Sequence, residues 1–358
     1  MTYLDYQATT PLAPEAFEAM VPWLRDQFAN PHSPHRAGRM ARAAVEVARD
    51  EVAALLPPGG RVAFTSGATE ALNWAIKGVP GGRVVTIATE HAAVLDTVAA
   101  RGQAVVLPVD GDGIVDPAAA ARAIVPGTAL VCAMLVNNEI GVLQPVAELA
   151  RMAHEAGALF LCDAVQGYGR VPLPQEADMI AVSAHKVHGP KGVGALWIRD
   201  GVAPSPLMHG GDQEGGRSGT LSPALCAGFG AAARLMRLRG DEDAAHVARL
   251  HEVATQRLRG WAVNGARERR YLGNLNVRRA GLDVARLMSD LRDVAFSAGS
   301  ACASGSGRAS HVLRAIGLSE AQARSSIRLG FGRYTAQEEL VAALDRIVAA
   351  ADAQRVAA

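Results

Sequence analysis

Arg83-Val84-Val85-Thr86-Ile87, then Ala92 to Ala100, then Ala104-Val105-Val106-Leu107 run a β-branched segment, a helix-compatible segment and a second β-branched segment in direct succession. Such a sequence reads as strand, crossover helix and parallel strand. The same alternation extends outward on both sides. Arg61–Thr65, Leu130–Val136, Ala158–Leu161, Met179–Val182 and Ala195–Ile198 read as further strands, and Thr69–Lys77, Pro117–Ala123 and Val146–Ala156 as helices between them. The pattern predicts an α/β domain with a mainly parallel sheet covered by helices on both faces. Beyond about Arg239 the texture changes to an Arg-rich helix, one or two strands near Gly273–Val277, a helix near Val284–Leu291, a Gly/Ser-rich loop and a closing Ala-rich helix after Leu340. That predicts a smaller α+β domain, with the N-terminal dozen residues packed against it.

Composition narrows the class of function. The 358 residues are 49% hydrophobic and 20% charged, and 36 Lys+Arg against 35 Asp+Glu leave a net charge of +1. This balance offers no electrostatic footprint for nucleic acid or an anionic membrane. The opening Met1-Thr2-Tyr3-Leu4-Asp5 has neither a basic nor an apolar leader pattern, and no stretch approaches the roughly 18 apolar residues of a membrane span. The expectation is a soluble, cytoplasmic protein that binds neither nucleic acid nor membrane. Four cysteines do not make a disulfide framework in a chain of this length. Cys132 and Cys162 lie in buried-strand patterns and Cys226 in an Ala-rich helical stretch, so all three read as inert core thiols. Cys302 sits instead in Ser297-Ala298-Gly299-Ser300-Ala301-Cys302-Ala303-Ser304-Gly305-Ser306-Gly307, which predicts a mobile, accessible thiol.

Lysine usage is a second clue. Lys77, Lys186 and Lys191 are the only lysines. A genome-level bias towards Arg would produce this, yet a chain that uses Arg wherever charge suffices keeps Lys where an imine-forming amine is needed. Lys186 lies in Ala181-Val182-Ser183-Ala184-His185-Lys186, just past a buried strand, where desolvation favours the neutral, nucleophilic amine; the alternative is a solvated turn lysine. Ser66-Gly67-Ala68-Thr69-Glu70 follows a strand and opens a helix, a geometry that suits a phosphate and equally an ordinary capped turn. Asp163 ends a strand three residues before Gln166, where a carboxylate could hold a protonated ring nitrogen or simply start a surface turn. Neither a Gly-x-Gly-x-x-Gly nor a Gly-x-x-x-x-Gly-Lys-Ser/Thr motif is present, which removes the usual support for dinucleotide or nucleoside triphosphate binding. Phosphate cradle, strand-end carboxylate and strand-end lysine, in that order, form the set of partners that pyridoxal phosphate needs. His32 and His35 lie in a Pro-rich loop without a metal-binding pattern, and His154, His246 and His251 read as surface residues, so no metal is expected.

At this point the sequence resembles the class V aminotransferase family and, within it, the NifS/IscS-like cysteine desulfurases. The resemblance rests on nine motifs in the family's order: Tyr3 to Pro11, Ser66 to Glu70, Thr89-Glu90-His91, Val136 to Gly141, Asp163 to Gln166, Ser183 to Lys186, Arg217 to Thr220, Gly299 to Cys302 and Ser325 to Arg328. It implies a fold type I enzyme with a seven-stranded sheet, a large cofactor-binding domain over residues 12–239, and a small domain over 1–11 and 240–358 that carries the Cys302 loop. It implies that Lys186 bonds to the cofactor aldehyde, Asp163 pairs with the pyridine nitrogen, Gln166 reaches the ring hydroxyl and His91 stacks on the ring. Ala68, Thr69, Ser183 and His185 would bind the phosphate, with Thr220 reaching across from the second subunit of a homodimer. Asn138 would touch both cofactor and substrate, and Arg328 would clamp the substrate carboxylate.

The activity so implied converts L-cysteine to L-alanine, with Lys186 moving the α-proton, His91 assisting proton transfer and Cys302 taking the sulfur as a persulfide for an iron–sulfur scaffold or another sulfur-acceptor protein. The alternatives are a selenocysteine lyase or aminotransferase of the same fold, which need no attacking thiol in a long loop, or a non-catalytic partner-binding protein, in which Lys186, Asp163 or Cys302 would be eroded. Two departures from the pattern, Ala298 and Ala303 beside Cys302, touch no required group, and His188 stands where an aromatic residue is common. Some thirty residues follow Arg328, so the C-terminal extension with which housekeeping members dock their scaffold protein is expected to be absent, leaving the acceptor open.

Overall fold

The computed structural model describes residues 1–299 and 309–356. Its centre is a seven-stranded sheet in the order Gly60–Thr65, Gly194–Arg199, Met179–Ser183, Leu159–Asp163, Thr128–Met134, Arg83–Ile87, Ala104–Leu107. All pairings are parallel except those of Gly194–Arg199, which runs antiparallel to both neighbours. The runs are apolar throughout because both faces are covered. Val85, Val131, Phe160, Ile180 and Trp197 point into one core with the helices Arg36–Ala53 and Val146–Glu155. Their chain neighbours Val84, Leu130, Leu161, Met179 and Ile198 point into the other, against Ala68–Gly78 and Ala92–Arg101. This is the period of two expected of strands buried on both sides. Each sequence-predicted strand of the sheet is present, with ends shifted by one or two residues in several cases; Ala158–Leu161, for instance, becomes Leu159–Asp163, which places Asp163 in the strand itself.

The second part of the molecule is built on a four-stranded antiparallel sheet in the order Ser297–Ala298, Ser326–Gly330, Asn274–Arg278, Ala262–Val263. Its strand Ser326–Gly330 is fully buried, and its short apolar run interrupted by Arg328 conceals it from a pattern reading. The N-terminal Thr2–Tyr3 pairs in parallel with Val294–Ala295, and Leu4 enters the core formed with Leu275, Phe296 and Leu344. The sequence expects a change of texture at Arg239, but the structure has one uninterrupted helix, Pro223–Arg257, of 35 residues. Phe229 and Met236 on its first half belong to the large core, and Val247, Leu250 and Ala254 on its second half belong to the small one. A single rigid rod thus fixes the two cores relative to each other. The helices Pro14–Arg25 and Arg36–Ala53 complete the layer beside it.

His246 and His251, which the sequence suggests are surface residues, are half-buried. His246 Nε2 lies 3.0 Å from the Thr335 carbonyl and His251 Nδ1 lies 2.9 Å from that of Leu272, so both stitch the long helix to the small core. Among the described residues, no helix is long and apolar enough to cross a membrane, and no group of three or more His, Cys, Asp or Glu is placed to hold a metal ion. Cys132, Cys162 and Cys226 are buried free thiols. Burial raises the pKa of each, Cys226 to about 12, which suppresses the reactive thiolate.

Candidate active site

A cavity of about 620 Å³ opens at the carboxyl ends of the central strands, the position where open α/β sheets bind ligands. Ala68, Thr69, His91, Asn138, Asp163, Gln166, Ser183, His185, Lys186 and Arg328 all line it. Ten positions spread along the chain are brought to one cavity. Thr220 is exposed and does not line this cavity, and Cys302 lies outside the described residues.

The local fold explains the convergence. The helix Ala68–Gly78 starts at Gly67, which offers no side chain to cap it, so its first backbone N–H groups are left for a ligand. A Cβ on Gly194 would come within 2.8 Å of Gly67 Cα, so glycine there lets this turn settle onto the sheet. Glu70, also in the wall, accepts from Ser66 N–H at 2.7 Å and is paired with Arg217 at 2.7 Å, which fixes the turn. The neighbouring strand ends in Ser183 and passes into the single turn Ala184–Lys186. Its carbonyl at His185 accepts from Thr10 N–H and from Thr10 Oγ1, both at 2.9 Å, so the N-terminal segment holds the turn in place.

Lys186 Nζ donates to the carbonyls of Gln7 and Ala8 at 2.5 and 2.8 Å. Gln166 Nε2 donates to the same Gln7 carbonyl at 3.0 Å, while Gln166 Oε1 is buried without a partner. Gln7, Glu70 and Lys191 also line the wall, without an individual role legible in the sequence. The signal for Gln7 was the Tyr3–Pro11 motif itself, whose spatial destination only the fold reveals.

Electrostatics follow burial. Asp163 is only 6% exposed, and burial raises its carboxyl pKa although the Val165 N–H, His91 and Lys186 oppose that rise. Burial lowers the pKa of His91, with Asp163 opposing and Lys186 reinforcing. Its Nδ1 accepts from Ala93 N–H at 3.1 Å as the cap of Ala92–Arg101, which leaves the proton of the neutral ring on Nε2. His185 falls to about 4 through burial and the charges of Lys186 and Lys191. Both imidazoles are therefore neutral near pH 7. Arg328 is 1% exposed on an inner strand of the four-stranded sheet. Its Nη2 donates to Asp5 Oδ1 at 2.7 Å and Ser297 Oγ at 3.2 Å, its Nη1 donates to the Asn138 carbonyl at 3.1 Å, and its Nε has no partner.

Class V aminotransferases match residues 2–343. The chain belongs to the class V aminotransferase family. Within the family, it is 45% identical over 360 aligned positions to cysteine desulfurase IscS of Anaeromyxobacter dehalogenans (strain 2CP-C), an alignment that covers 94% of this chain and 89% of the relative. Among solved structures it resembles a NifS-like protein with a TM-score of 0.89 and 32% identity, covering 97% of this chain and 98% of that one. It also resembles SspA in complex with cysteine, with a TM-score of 0.83 and 34% identity, covering 94% and 100%. The cofactor of this class V family is pyridoxal phosphate, and the cavity fits it. An uncapped helix start suits the phosphate, the buried Asp163 carboxyl suits a cationic ring nitrogen, the orphaned Gln166 Oε1 suits a ring hydroxyl donor, and Lys186 supplies the amine.

Proposed function

We propose that this class V enzyme is a cysteine desulfurase in which Lys186 and Arg328, facing one cavity, hold L-cysteine for sulfur transfer to Cys302. The observation that carries the reading is the convergence on that cavity of an amine, a buried carboxyl and a buried guanidinium with an unpartnered Nε. Bound pyridoxal phosphate supplies an electrophilic aldehyde and an electron-withdrawing ring that stabilises negative charge at the substrate α-carbon. Ala68 and Thr69 backbone N–H groups, Ser183 and the neutral His185 hold its phosphate, with Thr220 of a second copy completing the cradle in a homodimer. Asp163 holds the ring nitrogen, Gln166 the ring hydroxyl, and His91 packs on the ring.

Arg328 binds the substrate carboxylate beside Asn138. Lys186 Nζ takes the proton from the α-carbon of L-cysteine and, as the ammonium so formed, returns a proton as the product forms, while the neutral His91 assists by donating a hydrogen bond from Nε2–H. Cys302 Sγ attacks the substrate sulfur as the substrate C–S bond breaks and an S–S bond forms. The electron pair left on carbon takes a proton. The thiol of Cys302 and L-cysteine thus become the Cys302 persulfide and L-alanine. The persulfide then serves a sulfur-acceptor protein. Three buried free thiols and a reactive fourth fit the reducing cytoplasm.

Replacing Cys302 by Ala separates this reading from its alternatives. The variant should keep the visible band of the bound cofactor and lose L-alanine formation from L-cysteine. Wild-type alanine production by Cys302→Ala would indicate a lyase that needs no attacking thiol.

A further inference from the structure

Glu139 follows Asn138 but turns away from the cofactor cavity and is 3% exposed. Its carboxylate Oε2 accepts a short hydrogen bond from Ser310 Oγ, and its carbonyl accepts from Asn276 Nδ2 at 3.0 Å. The same Asn276 Nδ2 donates to the Gly299 carbonyl at 3.2 Å. Gly299 and Ser310 flank the run that contains Cys302. One residue therefore ties both of its ends, the first through Asn276 and the second directly. Asn276 is itself fixed by Asn264 Nδ2, 2.7 Å from its Oδ1, and Gly299 N–H donates to Ser326 O at 2.8 Å.

Packing reinforces the polar tie. A Cβ on Gly299 would come within 2.6 Å of Leu313 Cδ1, so glycine at 299 lets the first end lie directly against the helix His311–Ala315. Ser310 caps that helix by accepting from Leu313 N–H at 3.0 Å while its hydroxyl proton goes to Glu139. His311 Nε2 lies 2.9 Å from the Glu90 carbonyl, next to His91 in the cavity wall. On the other side, the Asn138 carbonyl accepts from Arg328 Nη1 at 3.1 Å. The Asn138–Glu139 pair is thus shared between the substrate-binding guanidinium and the two ends of the Cys302 run.

We infer that Glu139 is a positioning residue for sulfur transfer, fixing where the Cys302-bearing run is anchored relative to Arg328 through its bonds to Ser310 and Asn276. The inference rests on the desulfurase reading, because only a reaction at Cys302 is sensitive to where these ends are held. Misplacement of reacting groups by an ångström is enough to slow a step by one to two orders of magnitude. The step affected is the attack on sulfur, not the binding of cofactor or L-cysteine.

The test uses the holoenzyme in single turnovers with L-cysteine, following persulfide formation on Cys302 by mass spectrometry together with cofactor absorbance and KM. Glu139→Ala should slow persulfide formation by about tenfold or more with KM and cofactor occupancy unchanged. Glu139→Gln, which still accepts from Ser310, should stay within about threefold of wild type. Ser310→Ala should show at least a similar loss, since it also removes the cap on Leu313 N–H, and the double variant Glu139→Ala with Ser310→Ala should be no slower than the slower single variant, because both break the Glu139–Ser310 bond. A wild-type rate in Glu139→Ala would overturn the inference. So would parallel losses of cofactor and KM in the two Glu139 variants, or losses that multiply in the double variant. If Glu139→Ala does not fold, a wild-type rate in Ser310→Ala overturns it alone. Failure of the wild-type enzyme to form any persulfide would instead defeat the desulfurase reading.

Discussion

The two walls of the cavity are built in different ways. The sheet wall takes Ala68, Asp163, Ser183 and Lys186 from the ends of neighbouring strands and the turns that follow them. The small-domain wall joins Arg328 to Asp5, 323 positions away, and Ser297 to the same Asp5 Oδ1 at 2.9 Å. In the sheet wall, burial sets the charge states: it raises the Asp163 pKa and lowers those of His91 and His185. In the small-domain wall, a committed ion pair and hydrogen bonds set the position of one guanidinium. The first wall prepares reactivity and the second prepares placement. Substitutions should therefore divide between loss of turnover and loss of substrate affinity.

The largest effect belongs to Lys186→Ala. Loss of the proton-moving amine should reduce L-alanine formation by ~10³-fold or more, with loss of the covalent cofactor band in the visible spectrum. Arg328→Lys keeps the charge but not the planar fork. It should raise KM for L-cysteine by about tenfold or more with a smaller change in kcat. A reversed pattern, with Arg328→Lys crippling kcat at constant KM, would break the division between the walls.

A third test uses pH. His188 is buried at positive φ, its Nδ1 3.0 Å from the Pro11 carbonyl, and burial lowers its pKa from 6.5 to about 3. Between those values the unfolded chain binds a proton that the folded chain does not. Its contribution to stability is therefore complete above pH 6.5 and is lost as pH falls towards 3. His188→Asn, which tolerates positive φ, should make stability in urea less steeply dependent on pH between 6 and 4, by roughly 1.4 kcal/mol per pH unit. An unchanged slope would mean that His188 does not carry this linkage. The smallest effect is expected for Cys132→Ala, which should cost about 1 kcal/mol of stability and leave persulfide yield unaltered.

How much of each wall was legible in the sequence follows the same divide. Asp163 and Lys186 announce themselves because a strand reads from its apolar run and the residues just beyond it must sit at the sheet's edge. Arg328 was legible only through family resemblance, since a guanidinium in the middle of Ser326–Gly330 obscures the strand that carries it. Asp5, Asn276 and Glu139 were not legible at all as a set. Their roles arise from antiparallel pairing and from a β-bridge between Asp5 and Gly330, contacts without a local signature. Within the long helix Pro223–Arg257, the change of texture near Arg239 accompanies a change of partner core, while the continuity of the helix across it has no local signature.

The central claim is that the Cys302 thiol receives sulfur from L-cysteine bound at the Lys186 amine. The most direct measurement is mass spectrometry of the intact enzyme and its peptides after one turnover with L-cysteine. The account predicts the added mass of one sulfur atom on the Cys302 peptide alone, with one equivalent of L-alanine released and Cys132, Cys162 and Cys226 unmodified. Release of L-alanine with Cys302 unmodified throughout the turnover would contradict it.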